Sequence, residues 1–445
     1  MHTFDLSMEH ITKVEGNASL RLKVEAGKVT DVKFAIDEYK RFFTDAMKGK
    51  AVAAIPPHLS RICGTCSNAH GICSIEACEN ALGIEPTAQT KLLRALTMHG
   101  LIIRDHALHL YLFSMPDIFG KDAFLDFDEN DPEQHQLLHD GFEVKSAGNY
   151  LATLIAGRSV HATYPVIGGY LHFPDQASIK EAIEKLRVVR PGVLRLIEIF
   201  RKAPFHFDRK TKYIALVPDT SFGYIYGKIE TSQGETFSKP EFKSHLEHVV
   251  MPYSQASGYT YKGEGYMVGS LARINLAKDK LHKNTRESLA ETLDLFPSTD
   301  IYYNNLAQAI EILHSVDESI DILSNNEFKP EPAVDSKAIL EKIGDGQTMT
   351  GIGVIEAPRG TLYHKVVIGK GGIVESGEVV VPTGQNQINI ERDIGVLVQG
   401  MLDSGVGDSQ TDKDKIAHEI EKLIRAYDPC MSCATHFLKV EWEVC

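Results

Sequence analysis

Two short stretches near opposite ends of the chain decide how it has to fold: RICGTCSNAH at residues 61–70 and DPCMSCATH at residues 428–436. Each contains a Cys-x-x-Cys pair, and two such pairs together are a common set of metal ligands. If the four thiols share one site, almost the whole chain must fold to close it. The spacing alone is compatible with a structural zinc site, with independent redox pairs, or with a catalytic metal centre that keeps open coordination positions.

The residues around each pair predict that the thiols lie at the start of a helix. We expect Asp428 to act as the N-cap and Pro429 to occupy the first helical position. This arrangement places Cys430 and Cys433 in the opening turns, on one face of the helix. The first pair similarly precedes apolar residues at helical spacing. Free backbone N–H groups at a helix N-terminus favour the thiolate, which is the form that binds metals.

The composition is that of an ordinary soluble globular protein, with 43% hydrophobic and 24% charged residues. A net charge of -13 argues against nucleic-acid binding, which needs a clustered cationic surface. No apolar stretch is long enough to span a membrane, and the N-terminus has no basic region followed by an apolar run. Seven cysteines among 445 residues are too few for a disulfide scaffold. These features predict a cytoplasmic protein.

The changes in hydrophobic periodicity along the chain predict an α+β fold that is mainly helical. We expect a central helical bundle with peripheral β-rich segments, folded as a single intertwined domain of residues 1–445 whose metal site is closed by the N- and C-terminal Cys-x-x-Cys pairs. The expected segments are a β-rich start over 1–60, helices over 61–212, a β-rich insertion over 213–280, helices over 281–330, a β-rich part over 331–400, and a closing helix with the second ligand segment over 401–445.

Three local patterns give sharper expectations. Apolar residues at helical spacing between about residues 61 and 113 predict one long, largely buried helix. The acidic segment 126–140 predicts an exposed stretch. The glycine-rich segment 369–372 lies between two β-like runs, so we expect a hairpin turn there rather than a nucleotide-binding loop.

The residues that flank the two pairs carry a resemblance to a known family. The signatures Arg-x-Cys-Gly-x-Cys-x-x-x-His at 61–70 and Asp-Pro-Cys-x-x-Cys-x-x-His at 428–436 resemble those of the large, catalytic subunit of nickel-iron hydrogenases. The resemblance covers nearly the whole chain and is weakest between about residues 120 and 330. It extends through ITKVEG at 11–16, DHALHLY at 105–111, EAPRG at 356–360 and VPT at 381–383.

The resemblance implies a nickel-iron centre held by the four cysteines. Cys63 and Cys430 would be terminal nickel ligands, whereas Cys66 and Cys433 would bridge nickel to iron. The iron would also carry carbon monoxide and cyanide ligands. Soft thiolates suit both metals. The implied reaction is the reversible heterolytic cleavage of H2 to protons and electrons.

The resemblance also implies roles for charged residues around the metals. Glu15 would take a proton from the Cys430 region, as a carboxylate within hydrogen-bond reach of a thiolate can. Arg359 would lie over the open side of the metals, with Asp105 and Asp428 as the carboxylate partners that a buried guanidinium needs. Without the resemblance, Glu15 would be interpreted as a surface or capping glutamate and Arg359 as a loop arginine.

Further residues are implied to surround the centre. Pro358, Pro382 and Thr383 would line the pocket for the diatomic ligands of the iron, with Thr383 offering a hydroxyl. His70 would hydrogen-bond a bridging thiolate and so tune the metals. Three other histidines are expected to be satisfied core residues: His99, His106 and His109.

The sequence departs from the family pattern in several places. Asn17 stands where relatives commonly have a histidine, and Thr44 stands where many have a carboxylate for a magnesium-like ion. That ion is possible here, since its usual partner His436 is present. Only nine residues, FLKVEWEVC, follow His436, so we expect no removal of a longer extension by a protease. Three cysteines match no metal position and are expected to be apolar packers or idle thiols: Cys73, Cys78 and Cys445.

The partners follow from the cysteine count. The chain has no further cysteine cluster able to hold an iron-sulfur cluster, so electrons would pass to an iron-sulfur small subunit. Flavin-, NAD(P)- or ferredoxin-linked chemistry would belong to additional subunits. The alternative function is a hydrogen-sensing regulatory subunit with the same metals. A metal-free relative of the complex I type is disfavoured because all four cysteines are present, and zinc stays the alternative metal.

Overall fold

The computed structural model describes residues 2–335, 337–341 and 343–435, and long buried helices occupy its centre. No helix within those ranges is long and apolar enough to cross a membrane. The helices are α1 (Ile55–Leu59), α2 (Ser67–Leu82), α3 (Ala88–Ala107), α4 (Met115–Ile118), α5 (Pro132–Ala156), α6 (Gln176–Arg201), α7 (Ser270–Ala277), α8 (Lys283–Ser288), α9 (Ala290–Leu293), α10 (Tyr303–Asn325), α11 (Lys337–Leu340), α12 (Pro382–Asp403), α13 (Gln410–Ala426) and α14 (Met431–Ala434).

Small sheets lie around this helical centre. Antiparallel pairing gives the orders β1-β2-β3 and β12-β13-β14 and the pairs β4-β5 and β9-β10, whereas the order β11-β6-β7-β8 includes one parallel pair. The strands are β1 (Phe4–Met8), β2 (Ala18–Glu25), β3 (Lys28–Ile36), β4 (Pro165–Val166), β5 (Gly169–Tyr170), β6 (Lys212–Val217), β7 (Lys228–Thr231), β8 (Thr236–Phe237), β9 (Leu246–Val249), β10 (Gly258–Tyr261), β11 (Tyr266–Met267), β12 (Met349–Ala357), β13 (Gly360–Ile368) and β14 (Val374–Val380).

The mainly helical α+β fold with peripheral sheets is confirmed. The first sheet falls in 1–60, and the glycine-rich turn of residues 369–372 joins β13 to β14. The strands β6 to β11 occupy the predicted insertion over 213–280, with β6 starting one residue earlier, at Lys212. A single intertwined domain stays a prediction, although one cluster of buried apolar residues extends from Phe4 to Ala434.

The single long helix expected over 61–113 is wrong. Two helices, α2 and α3, occupy that range, because Gly83 ends α2 in a left-handed conformation with φ 67°. A new helix then starts where the Thr87 side chain accepts a hydrogen bond from the Thr90 N–H. These are the ordinary stop and start signals of helices, and here they outweigh the continuous apolar periodicity.

Of two other segment predictions, one is confirmed and one needs correction. Most residues of the acidic segment 126–140 are exposed as predicted, although α5 begins inside it and Asp140 is buried against Arg195, with Nη2 and Oδ1 2.7 Å apart. The β-rich part predicted over 331–400 ends at Val380, because α12 follows with Pro382 at its first position. Proline lacks an N–H and has a helical φ, so it suits that position.

The packing of α2 against β12 fixes the first ligand segment. A Cβ added at Gly353 would lie 2.2 Å from the Cys73 carbonyl oxygen, and one added at Gly351 would lie 2.0 Å from the Ala77 carbonyl oxygen. Only glycine therefore allows this approach of strand to helix. Because Cys66 precedes α2 directly, the contact also sets where this thiol lies.

Substitution of Gly353 by alanine is expected to destabilise the protein by about 2–4 kcal/mol, because the methyl group would push β12 away from α2. The control is Gly400→Ala, at a helical position with no heavy atom within 4 Å of the added Cβ. That change should be neutral or stabilising by up to about 1 kcal/mol. Chemical denaturation midpoints of both variants test the difference, and equal midpoints would contradict it.

Candidate metal centre

The four predicted cysteine ligands meet in the interior. Their sulfur atoms all lie within 4.8 Å of one another, and all four residues are buried. The two Cys-x-x-Cys pairs face each other, with 3.4 Å between the Cys63 and Cys430 sulfurs and 3.1 Å between the Cys66 and Cys433 sulfurs. The chain ends thus close one site, as the sequence predicts.

Backbone pairing brings the second pair to the site. Glu15 and Cys430 form a parallel β-bridge, and the Met431 N–H donates to the Glu15 carbonyl oxygen at 2.9 Å. The Cys430 N–H donates to Thr383 Oγ1 at 2.9 Å. These contacts hold the second pair between the N-terminal segment and the start of α12.

The predicted helix-start positions are only partly right. Cys66 directly precedes α2 and Cys430 directly precedes the short α14, but the Asp428 side chain does not cap a helix. Its backbone is left-handed, with φ 49°, and its carboxylate accepts from Arg359 Nη2 at 3.0 Å. A buried guanidinium without carboxylate partners costs more than a missing helix cap, so the ion pair decides the orientation of Asp428.

The surroundings of the thiols shift their pKa values in opposite directions. Hydrogen bonds with Cys430 and then with the other two thiols hold the pKa of Cys63 well below its ordinary value, with Arg359 adding to the effect. Burial raises the pKa values of Cys430 and Cys433 well above the ordinary value. Bound metal cations would supply the positive charge that keeps all four thiols deprotonated.

The donor set fits a thiolate metal centre. Four soft sulfur ligands suit nickel and iron, and they also suit zinc. The sulfurs alone therefore do not select the metal, and the selection has to come from the residues around them.

Glu15 lies beside one thiol. Its Oε2 atom is 3.1 Å from the Cys430 sulfur and accepts from the Ser432 N–H at 3.1 Å. Burial raises the pKa of Glu15, and the Cys63 charge adds to this effect. Asn17, which replaces the common histidine, has its Oδ1 3.3 Å from His10 Nδ1.

Arg359 is buried between the two predicted carboxylates. Its Nη1 donates to Asp105 Oδ2 at 2.8 Å and its Nη2 to Asp428 Oδ1 at 3.0 Å. Burial would lower the pKa of Arg359, but Asp105 and Asp428 outweigh it, and the pKa lies well above its ordinary value. The structure thus brings together the three residues that the resemblance pairs.

The remaining predicted residues are placed as follows. Pro382 begins α12, next to Thr383, and the Pro358 carbonyl oxygen accepts from Arg273 Nη2 at 2.9 Å. His70 Nδ1 lies 3.1 Å from His364 Nε2. The expected contacts of these residues with diatomic ligands or with a thiolate stay predictions.

The magnesium-like ion also stays a prediction. His436 and the tail after it, including Cys445, lie outside the described residues. Cys73 and Cys78 are buried and free, as expected of packing residues. Burial raises the pKa of both thiols, which keeps them protonated.

Sequence reasoning missed the residues that support the carboxylates. Gln308 on α10 donates to Asp428 Oδ2 at 2.9 Å, and its Oε1 lies 2.6 Å from His109 Nδ1. Glu311 on the same helix lies 2.9 Å from His106 Nε2. His109 is thus buried and bonded through both ring nitrogens, as predicted, and His106 is buried and bonded through Nε2. The Nδ1 atoms of His106 and His99 have no hydrogen-bond partner within the described ranges. No local motif marks Gln308 or Glu311, because only the tertiary fold brings α10 to the site.

Comparisons with known proteins agree with this site. The sequence profile of the family "Nickel-dependent hydrogenase" matches residues 41–137 and 224–436. The alpha subunit of sulfhydrogenase 2 from Pyrococcus furiosus is 30% identical over 437 residues, which are 98% of this chain and 100% of the relative. One chain of the F420-non-reducing hydrogenase from Methanothermobacter thermautotrophicus is 29% identical over 468 residues, covering 97% of this chain and 94% of that protein.

A solved structure shares the fold. One chain of an NAD+-reducing [NiFe]-hydrogenase superposes with a TM-score of 0.81 at 24% identity, covering 98% of this chain and 100% of that chain. The four-thiol site within this fold is that of a thiolate metalloprotein. The chain belongs to the nickel-dependent hydrogenase family, and the predicted family and enzyme class are confirmed.

Loss of one cluster thiol should abolish nickel binding. We expect Cys430→Ser to contain less than about a tenth of the wild-type nickel, because a serine oxygen is a poor ligand where a thiolate is needed. Cys73→Ser is the matched control, since Cys73 is equally buried but lies outside the four-thiol cluster. Elemental analysis of both purified proteins tests this, and wild-type nickel in Cys430→Ser would contradict it.

Proposed function

We propose that this chain is the catalytic subunit of a nickel-iron hydrogenase that cleaves H2 reversibly to protons and electrons and passes the electrons to an iron-sulfur small subunit. The observation that carries the proposal is the buried four-thiol cluster bordered by Glu15 on one side and by Arg359 on another. When bound, nickel and iron with its carbon monoxide and cyanide ligands supply the coordination positions and redox chemistry for heterolytic cleavage.

The role proposed for Glu15 is proton transfer at the Cys430 sulfur. Its carboxylate lies 3.1 Å from that sulfur, within the range over which a proton moves between heavy atoms. The Ser432 N–H holds the same oxygen in place. Glu15 would therefore receive a proton released at the cluster and pass it toward the surface.

The role proposed for Arg359 is to present a fixed cation beside the sulfurs. The Asp105 and Asp428 carboxylates hold its guanidinium in one orientation, so the charge needs no rearrangement during the reaction. The Thr383 hydroxyl accepts from the Cys430 N–H and so fixes the backbone there. Pro358 and Pro382 would add rigid, apolar surface to the pocket. Together these residues would keep water away from the metals.

The proposed electron acceptor is a separate subunit. Only three cysteines lie outside the site, whereas an iron-sulfur cluster is held by four ligands. Further flavin-, NAD(P)- or ferredoxin-linked subunits would complete the electron path. We propose a cytoplasmic location, since the low cysteine content suits a reducing compartment.

Infrared spectroscopy with elemental analysis tests the metal centre most directly. We expect about one nickel per chain, together with absorption bands of metal-bound carbon monoxide and cyanide. About one zinc per chain without nickel, or a spectrum without these bands, would refute the proposed centre.

Glu15→Gln should suppress hydrogen-deuterium exchange by about a hundredfold or more while the metals stay bound, because an amide cannot accept the proton. Glu38→Gln is the control, because Glu38 is a neighbouring carboxylate that accepts a hydrogen bond from the Asn17 N–H at 3.2 Å. Within the described residues, Glu38 is not bonded to a thiol. The assay is mass-spectrometric exchange of H2 with D2O. Undiminished exchange in Glu15→Gln would refute the relay.

Turnover with a soluble electron acceptor separates the catalytic proposal from a hydrogen sensor. We expect the complex with its small subunit to reduce a viologen dye with H2 at more than about ten turnovers per second, as is ordinary for enzymes. A rate below about one per minute in a metal-loaded complex would favour the sensor.

A further inference from the structure

A second buried arginine, Arg273 on α7, lies behind the segment that carries Arg359. Its side chain is 1% exposed. Its Nε and Nη2 donate to the two oxygens of Glu311 at 2.6 and 2.7 Å, and its Nη1 donates to Glu356 Oε2 at 2.8 Å. One guanidinium thus joins two buried carboxylates that lie on different elements, α10 and β12.

The same guanidinium holds the backbone just before Arg359. Its Nη1 donates to the Ala357 carbonyl oxygen at 3.0 Å and its Nη2 to the Pro358 carbonyl oxygen at 2.9 Å. The next residue, Gly360, has φ 132°, and a Cβ there would lie 2.5 Å from Val268 Cγ2. The turn between β12 and β13 is therefore packed directly against the start of α7.

The network also reaches the partner of Arg359. Glu311 Oε2, which binds Arg273, lies 2.9 Å from His106 Nε2. His106 follows Asp105 on α3, and Asp105 accepts from Arg359 at 2.8 Å. Arg273 and Glu311 thus hold the segments that carry both Arg359 and Asp105.

We propose that Arg273 is a positioning residue that fixes the backbone of residues 357–359 so that the Arg359 guanidinium stays between its two carboxylates beside the thiols. The consequence for catalysis rests on the proposed function, whereas the positioning itself does not. Lysine cannot replace Arg273, because one ammonium group cannot match the planar fork that binds two carboxylates and two carbonyl groups together. Small displacements of a fixed charge are costly, since a shift of about 1 Å can slow a reaction by about a hundredfold.

The test compares Arg273→Lys with Arg94→Lys. Arg94 on α3 is the matched control, because it is 2% exposed and its Nη1 donates to the buried Glu79 at 2.7 Å, away from the 357–359 segment. Crystal structures of both variants should show the Arg359 contacts to Asp105 and Asp428 lost or lengthened in Arg273→Lys and kept in Arg94→Lys. In metal-loaded complexes, Arg273→Lys should slow hydrogen-deuterium exchange by about tenfold or more and should shift the infrared bands. Arg94→Lys should show neither change.

The outcomes separate the two proposals. An unchanged Arg359 position in Arg273→Lys would overturn the positioning role, whatever the exchange rate. A wild-type protein without nickel or exchange would refute the proposed function, yet the structural comparison would still decide the positioning role. If Arg273→Lys does not fold, Glu356→Gln keeps the side-chain volume and weakens one of the anchors of Arg273. Arg359 contacts that stay intact in that variant would likewise overturn the proposal.

Discussion

The parallel bridge between Glu15 and Cys430 is the contact on which the rest of the structure depends. It joins the N-terminal segment to the second ligand pair and sets a carboxylate beside a thiol in the same step. Neither strand partner belongs to a larger sheet at this point, so the surrounding helices have to hold the bridge in place. The buried core from Phe4 to Ala434 supplies that support.

Buried ion pairs surround the four thiols. Arg359 and Arg273 each bind two buried carboxylates, and each guanidinium satisfies groups on separate elements. Such clusters add little to the free energy of unfolding, because desolvation offsets much of the Coulomb attraction. They do constrain geometry strongly, since removal of one member leaves an uncompensated buried charge. A site whose chemistry depends on the position of a cation gains more from this constraint than from additional stability.

The sequence was most informative where chemistry demands particular residues. The spacing of the four cysteines could be interpreted as one metal site, whereas Glu15 and Arg359 could be predicted only through the resemblance to a known family. The structure brings these six residues together. The end of α2 at Gly83 was harder to predict, because the apolar periodicity continues on both sides of the break. The roles of Gln308 and Glu311 could not be foreseen, because both sit in a helix with an ordinary amphipathic pattern and meet the site only through tertiary packing. The cap predicted for Asp428 failed for a related reason, since a local rule gave way to a long-range ion pair.

The closure of the site by distant parts of the chain has a consequence for biosynthesis. A ribosome adds roughly 5–20 residues per second, so the 367 residues between Cys63 and Cys430 correspond to about 20–70 s of translation. During that interval the first cysteine pair exists without its two partners. The four-thiol site can therefore form only after Cys430 and Cys433 have been synthesised, when nearly the whole chain is present.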